Sequence, residues 1–223
     1  MPTVGQDLFA ELLNTDLNLH LADTGENWIL EAANFVVRQA TDDVDHTTTT
    51  THMARKDDNI GDDDMDVSVD AKTQAANTTR LAGVAGRMTT ADFSNAFRAY
   101  LQGDTVAADL VFEKIVAGSV TNLGSYNANI ADDTYATIKL VLRAASRTAW
   151  LNGVERISDP NADALVGNQY AGIVQNGNAG AKVRVDNFLS ESVAAAGHPA
   201  MRRFGLVAGM RPVEVGRDGV AVM

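Results

Sequence analysis

The chain has 223 residues, no cysteine and a formal net charge of −11. Without a thiol it can form no disulfide, no thiolate metal site and no cysteine nucleophile, and a length below about 250 residues fits one domain. No two glycines stand two apart, which removes G-x-G-x-x-G, and there is no Gly-Lys-Ser/Thr, G-x-S-x-G or H-E-x-x-H.

Asp outnumbers Glu 22 to 7 and Arg outnumbers Lys 13 to 5, a bias that suits a surface kept hydrated in concentrated salt. The opening residues lack a basic region followed by an apolar run, and no apolar stretch reaches the ~18 residues of a membrane span. The expectation is a soluble chain without a membrane span, cytoplasmic unless it is packaged in a particle.

In chain order, residues 5–14 read as a short helix with Leu8, Phe9, Leu12 and Leu13 on one side, and 14–21 as a short alternating strand. A second helix is expected from Glu26 to about Thr41, where Trp28, Ile29, Ala32, Phe35 and Val36 form a stripe. The texture then changes to a Thr run and Asp clusters. With Val67 and Val69 alternating with Ser68 and Asp70, residues 46–72 read as a β-hairpin. Its arms carry few apolar residues, so it is expected to project from the body. A two-stranded ribbon alone is marginal in water, so it needs another part of the chain or another copy.

Residues 71–87 read as a weak helix, and 89–152 as a three-helix module. Its first helix carries Phe93, Phe97, Tyr100 and Leu101 up to Gly103. The second carries Val106, Leu110, Phe112 and Ile115 up to Gly118. The third, 130–152, is the longest at roughly 34 Å. Asn129 caps it, Asp132 and Asp133 sit at its positive end, Gly153 stops it, and Tyr135, Ile138, Val141, Leu142, Ala145 and Ala149 form its buried face. Beyond Gly153 a strand is expected over 181–188, a helical turn over 190–196, and a closing hairpin around Gly216–Gly219. The predicted fold class is α+β: a mainly helical body with a projecting hairpin near 46–72 and a small C-terminal β region. It forms one domain over 1–223, divided into an N-terminal helical arm (1–45), a β-hairpin extension (46–72), a helical core (73–152) and a Gly/Asn-rich and β C-terminal part (153–223).

Chemistry-bearing residues are sparse. Asp57, Asp58, Asp62, Asp63, Asp64 and Asp66 offer hard oxygen ligands for Ca²⁺ or Mg²⁺. The spacing is not that of an EF-hand, since Gly61 is fifth from Asp57 and no Glu closes the loop. They form a weak metal candidate, and no cofactor is expected. His46 and His52, beside Asp42, Asp43 and Asp45, would lie roughly 20 Å apart on an extended strand, too far to share a metal without a bend, and read as exposed. His20 and His198 are isolated.

Lys139, Arg143 and Arg147 recur every four residues as a basic stripe, to which Arg202 and Arg203 could add. The acidic chain and the lack of interleaved aromatics argue against nucleic acid, so Asp side chains of this chain or a neighbouring copy are the expected partners. Residues 167–180, with Asn168, Gln169, Asn176 and Asn178, could be a ligand loop.

No catalytic constellation emerges, so the expectation is a non-enzymatic subunit of a repeating homo-oligomer. Such a subunit fits a virion protein of a capsid shell, head–tail junction or tail, from a virus of a halophilic host, with other copies and other virion proteins as partners. The alternative is a soluble enzyme or small-ligand binder using the 153–180 loop with His198.

Overall fold

A computed structural model describes residues 3–10, 14–73, 80–89, 93–103, 108–131, 133–144, 146–161, 165–177 and 183–193. Among them are sixteen β-strands, one 3₁₀ turn at Leu17–Leu19 and no α-helix. The strands form two antiparallel sheets. The nine-stranded sheet runs β14 (Val154–Asp159), β13 (Arg147–Leu151), β12 (Ala136–Leu142), β7 (Met65–Lys72), β16 (Arg184–Ser192), β5 (Asp43–His46), β4 (Phe35–Arg38), β2 (Thr15–Asp16), with β1 (Thr3–Asp7) also paired to β16. The seven-stranded sheet runs β11 (Ser119–Ile130), β10 (Ala108–Val116), β9 (Ala96–Gly103), β8 (Leu81–Met88), β15 (Tyr170–Asn176), β6 (His52–Lys56), β3 (Trp28–Leu30).

Alternation fixes which residues meet between the sheets. Ala136, Ile138, Leu140 and Leu142 of β12 face Phe97, Ala99 and Leu101 of β9 and Leu110 and Phe112 of β10 in one core, and Val67, Val69 and Ala71 of β7 join them. The intervening residues Ser68, Asp70, Thr137 and Lys139 point away from it. β16 holds the nine-stranded sheet together by dividing one edge: Arg184 and Val185 pair with β5, and Phe188 to Glu191 pair with β1. Between the two lies a bulge at Asn187, whose φ of +52° is left-handed.

The helical body is therefore overturned. The long helix expected over 130–152 is instead the end of β11, β12, a turn and β13. Its β-branched Thr137, Ile138 and Val141 favour strand, and Ala136–Leu142 carries a two-residue period beneath the three- and four-residue spacings. Among the described residues, the two helices before it are replaced by β9 and β10. Gly118 and Gly153 do adopt left-handed φ values of +78° and +77°, but each follows another left-handed residue, Ala117 (+48°) or Asn152 (+49°). Two such residues in succession make a hairpin turn of type I′, not a helix stop. The helix expected over 26–41 is β3 and β4.

The 46–72 hairpin is corrected too. β5 and β7 belong to the nine-stranded sheet and β6 to the seven-stranded one, so the segment crosses between layers and does not project. β16 overlaps the strand expected over 181–188. The closing hairpin around 216–219 lies outside the described residues.

Candidate functional site

The seven-stranded sheet carries a second apolar cluster on its outward face. Leu81, Ala85 and Met88 of β8, Ala96 and Tyr100 of β9, Val111 and Ile115 of β10, Val174 of β15 and Met53 of β6 belong to it, and Tyr170 packs against it. Their neighbours in sequence, Ala82, Val84, Phe97, Ala99, Leu110, Phe112, Ile173 and Ala54, belong to the inter-sheet core, which places the two clusters on opposite faces.

Strand pairing lays the outward residues out in rows. One row runs Met53, Val174, Gly83, Tyr100, Val111, and the next runs Ile29, Arg55, Gly172, Ala85, Arg98, Glu113. The middle of both rows is small. A Cβ at Gly83 would stand 2.1 Å from the Ala99 carbonyl oxygen, and one at Gly172 would stand 1.9 Å from that of Ala54, so adjacent backbones already fill that space.

A cavity of about 250 Å³ opens on this face, lined by Glu31, Thr51 and Met53 on one side and Arg98, Ile115 and Phe93 on the other. Glu31 and Ile115 are separated by five strand spacings, about 24 Å in a flat sheet. Their meeting around one small cavity means that the sheet curls into a trough.

The polar groups of the trough are held in place. The Arg98 guanidinium donates from Nε to Glu113 Oε2 at 2.7 Å and from Nη2 to the same oxygen at 2.6 Å. Its carbon lies 5.5 Å from the centre of the Tyr100 ring. Burial, with Glu113 adding to it, pushes the Tyr100 phenol above its ordinary range and keeps it protonated. Across the trough the Met53 N–H donates to Glu31 Oε2 at 2.8 Å. Further along, the Arg55 guanidinium stacks 4.3 Å over the Tyr170 ring. The result is a mainly buried cluster of apolar and aromatic groups, with a rigid cation–carboxylate pair at its edge able to donate and accept hydrogen bonds at once.

None of these residues stands out by spacing in the sequence. The run Phe97-Arg-Ala-Tyr-Leu-Gln102 carries the signal, since read with period two it puts Arg98, Tyr100 and Gln102 on one face.

The residues singled out from sequence lie elsewhere. Asp57, Asp58, Asp62, Asp63 and Asp64 belong to the connection between β6 and β7, and Asp66 to β7 itself. Several are engaged: Asp63 Oδ1 accepts the Gly167 N–H at 2.8 Å, Asp64 lies 3.6 Å from Arg87, and Asp58 lies 3.9 Å from Lys56. Among the described residues no group of three or more His, Asp or Glu could hold a metal ion.

Lys139 and Arg143 both reach Asp66 at 2.6 Å, whereas Arg147 is buried in the core against Asp159 at 3.2 Å. Arg147 thus lies apart from the other two, and the three do not line one helical stripe. His46 and His52, expected some 20 Å apart, are brought to 3.1 Å because the chain bends between them. His20 donates to the buried Asp7, which also takes the Trp28 indole N–H at 2.8 Å. Within 153–180 the described residues include β14 and β15, with β15 near the middle of the seven-stranded sheet; Asn178, His198, Arg202 and Arg203 lie outside the described residues.

No protein-family model matches the chain, and no curated protein matches it. Its fold is shared with solved structures. The carbohydrate-binding module CBM66 from Bacillus subtilis aligns at 11% identity with a TM-score of 0.52, covering 74% of this chain and 95% of that one. The GH43 BlXynB protein from Bacillus licheniformis aligns at 14% with a TM-score of 0.58, covering 86% of this chain and 40% of that one. A β-glucanase from B. licheniformis aligns at 10% with a TM-score of 0.54, covering 81% of this chain and 98% of that one.

At such identities the likeness is one of fold: two antiparallel sheets in a jelly-roll, galectin-like sandwich. These neighbours are carbohydrate-related by name and are not virion components. With the helical body gone as well, the expectation of a self-assembling virion subunit does not stand.

Proposed function

We propose that this chain is a carbohydrate-binding β-sandwich whose ligand lies in the trough of the seven-stranded sheet. The observation that carries the reading is the Arg98–Glu113 pair beside Tyr100, at the edge of a cavity that Met53, Phe93 and Ile115 also line. A sugar presents hydroxyls that both donate and accept, together with an apolar C–H face. A fixed guanidinium–carboxylate pair answers the first, and the apolar lining residues Met53, Phe93, Ile115 and Val120 answer the second. The sandwich shared with a carbohydrate-binding module supports the assignment.

Binding without bond cleavage fits the carboxylates best. Glycoside hydrolysis needs two carboxyl groups flanking one bond, about 5–9.5 Å apart, one of them a proton donor. Here Glu113 is committed to Arg98 and Glu31 accepts a backbone N–H, so both serve as acceptors. The test is a glycan array probed with the full chain, followed by titration of the best glycan against Glu113→Gln and an assay for released reducing ends. The reading expects selective glycan retention, weakened binding in Glu113→Gln and no release. Retention of no glycan, or steady release of reducing ends, contradicts it.

A further inference from the structure

The nine-stranded sheet carries a larger recess on its own outward face, away from the trough. It has a volume of about 500 Å³ and is lined by Gln6, Leu8, Ser68, Asp70, Thr137 and Asn187, with Leu189 and the backbone of Val69 and Phe188 beneath. That volume lies within the range of small-molecule sites, about 300–1,000 Å³. The bulge in β16 creates it. The register slips between Asp186 and Leu189, Asn187 takes its left-handed φ, and its side chain reaches Asp70. Asn is among the few side chains that take up this conformation readily, and here it sits at the rim of the recess.

The groups converge on one carboxylate. Asp70 Oδ1 accepts the Thr137 hydroxyl at 2.6 Å, and Oδ2 accepts the Asn187 amide at 2.8 Å. A carboxylate offers about four lone-pair positions, so each oxygen can take one further donor. Gln6 and Ser68 add an amide and a hydroxyl. Leu8, 44% exposed, and Leu189 supply an apolar wall. Among the described residues no Lys or Arg lines the recess, so none of them would offset the charge of a phosphate or a uronic acid beside Asp70.

We propose that this recess is a second ligand site, selective for a neutral polyhydroxylated ligand of mono- or disaccharide size, held by Asp70, Thr137 and Asn187. The choice of ligand class rests on the carbohydrate-binding reading of the trough, but the site shares no residue with it. The chain would then engage sugar on both faces and gain from bivalency on a polymeric ligand.

The test is chemical-shift mapping of the ¹⁵N-labelled full chain with methyl α-glucoside, methyl α-mannoside and methyl β-galactoside, with inorganic phosphate as the charged control. At least one glycoside is expected to move the Asn187 side-chain amide and the Thr137 and Leu189 backbone amides, and phosphate is expected to leave them still. Asn187→Gly keeps the left-handed backbone and removes the amide; Asp70→Asn keeps the shape and removes the charge. Each is expected to weaken the response at the Thr137 and Leu189 backbone amides by about tenfold, while the Arg98 Nε signal responds as in the unsubstituted chain. Unmoved Asn187 and Thr137 amides, equal movement with phosphate, or an unchanged response in both variants overturns the second site. Silence at Arg98 with movement at Asn187 counts against the trough and leaves the recess standing.

Discussion

The imidazoles of His46 and His52 meet at 3.1 Å, Nε2 to Nδ1, although β5 and β6 belong to different sheets. His46 Nδ1 donates to the Thr48 carbonyl at 2.9 Å, which leaves Nε2 as the acceptor for the N–H of His52. The His46 ring is buried, 4.7 Å from that of Phe35. Burial, with the neighbouring His52 charge, lowers its pKa to about 4 despite the Thr48 bond. The pair joins the two layers where the chain passes between them, and it does so only while His46 is neutral.

That arrangement has a pH consequence. His46 titrates near 6.5 when unfolded and near 4 when folded, so its contribution is complete above pH 6.5 and is lost as pH falls towards 4. The difference is on the order of 3 kcal/mol. Asp186 acts in the opposite sense. Burial and the nearby Asp43, Asp70 and Asp42 raise it to about 6 against its Asn187 N–H bond, so it costs stability as pH rises from about 4 to 6. The unsubstituted chain should therefore show a shallow profile across this window. Asp186→Asn, which retains the acceptor for Asn187, is expected to raise Tm at pH 7 by several degrees, with the gain vanishing near pH 4. Melting curves at half-unit pH steps check this, and parallel profiles for the two chains would contradict it.

Arg147 and Asp159 form a pair at 3.2 Å that is almost wholly enclosed, with the guanidinium 5.4 Å over the Phe97 ring. Removing one partner leaves a buried charge, so Asp159→Ala should cost about 3–5 kcal/mol. The double change Arg147→Met with Asp159→Leu should recover most of that. Urea denaturation of the three proteins measures the difference. A double variant as unstable as the single one would mean that the pair contributes more than mutual neutralisation.

Gly83 tests the close approach of β8 to β9. A Cβ there would also stand 2.5 Å from Tyr100 Cα, so neither backbone can yield without separating β8 from β9. Gly83→Ala should cost more than about 3 kcal/mol or prevent folding. Gly118 is left-handed with open space around it, so Gly118→Asn should stay within about 1 kcal/mol of the parent. Comparable melting temperatures for the two variants would show that the β8–β9 approach is looser than described.

What the sequence shows of this fold is confined to strands with uninterrupted alternation. β7 and β16 are legible from Val67, Val69, Val183 and Val185. β12 and β13 are not, because Ile138, Val141 and Leu142 of the first and Ala149 of the second satisfy a helical spacing as well as a sheet one. Gly118 and Gly153 carry the same left-handed signal at a helix end and in a type I′ turn, and Asn152-Gly153 is the pair that favours the turn. The Asp excess looked like a hydrated surface, yet Asp7, Asp43, Asp45, Asp66 and Asp159 are buried among Arg, His and Tyr partners. The trough residues were hidden for another reason. Arg98 and Glu113 are 15 positions apart and become neighbours only through β9–β10 pairing, and Glu31 and Ile115 only through the curl of the sheet.

The most direct test of the account is a calorimetric titration of the glycan selected on the array into the full chain and into Arg98→Ala, with circular dichroism confirming that both are folded. The account expects saturable binding by the first and an affinity lower by at least about tenfold in the second, the loss of a charged hydrogen-bonding group of the site. Equal affinities for the two proteins would place the ligand elsewhere on the sandwich, and no heat with either would remove the carbohydrate reading itself.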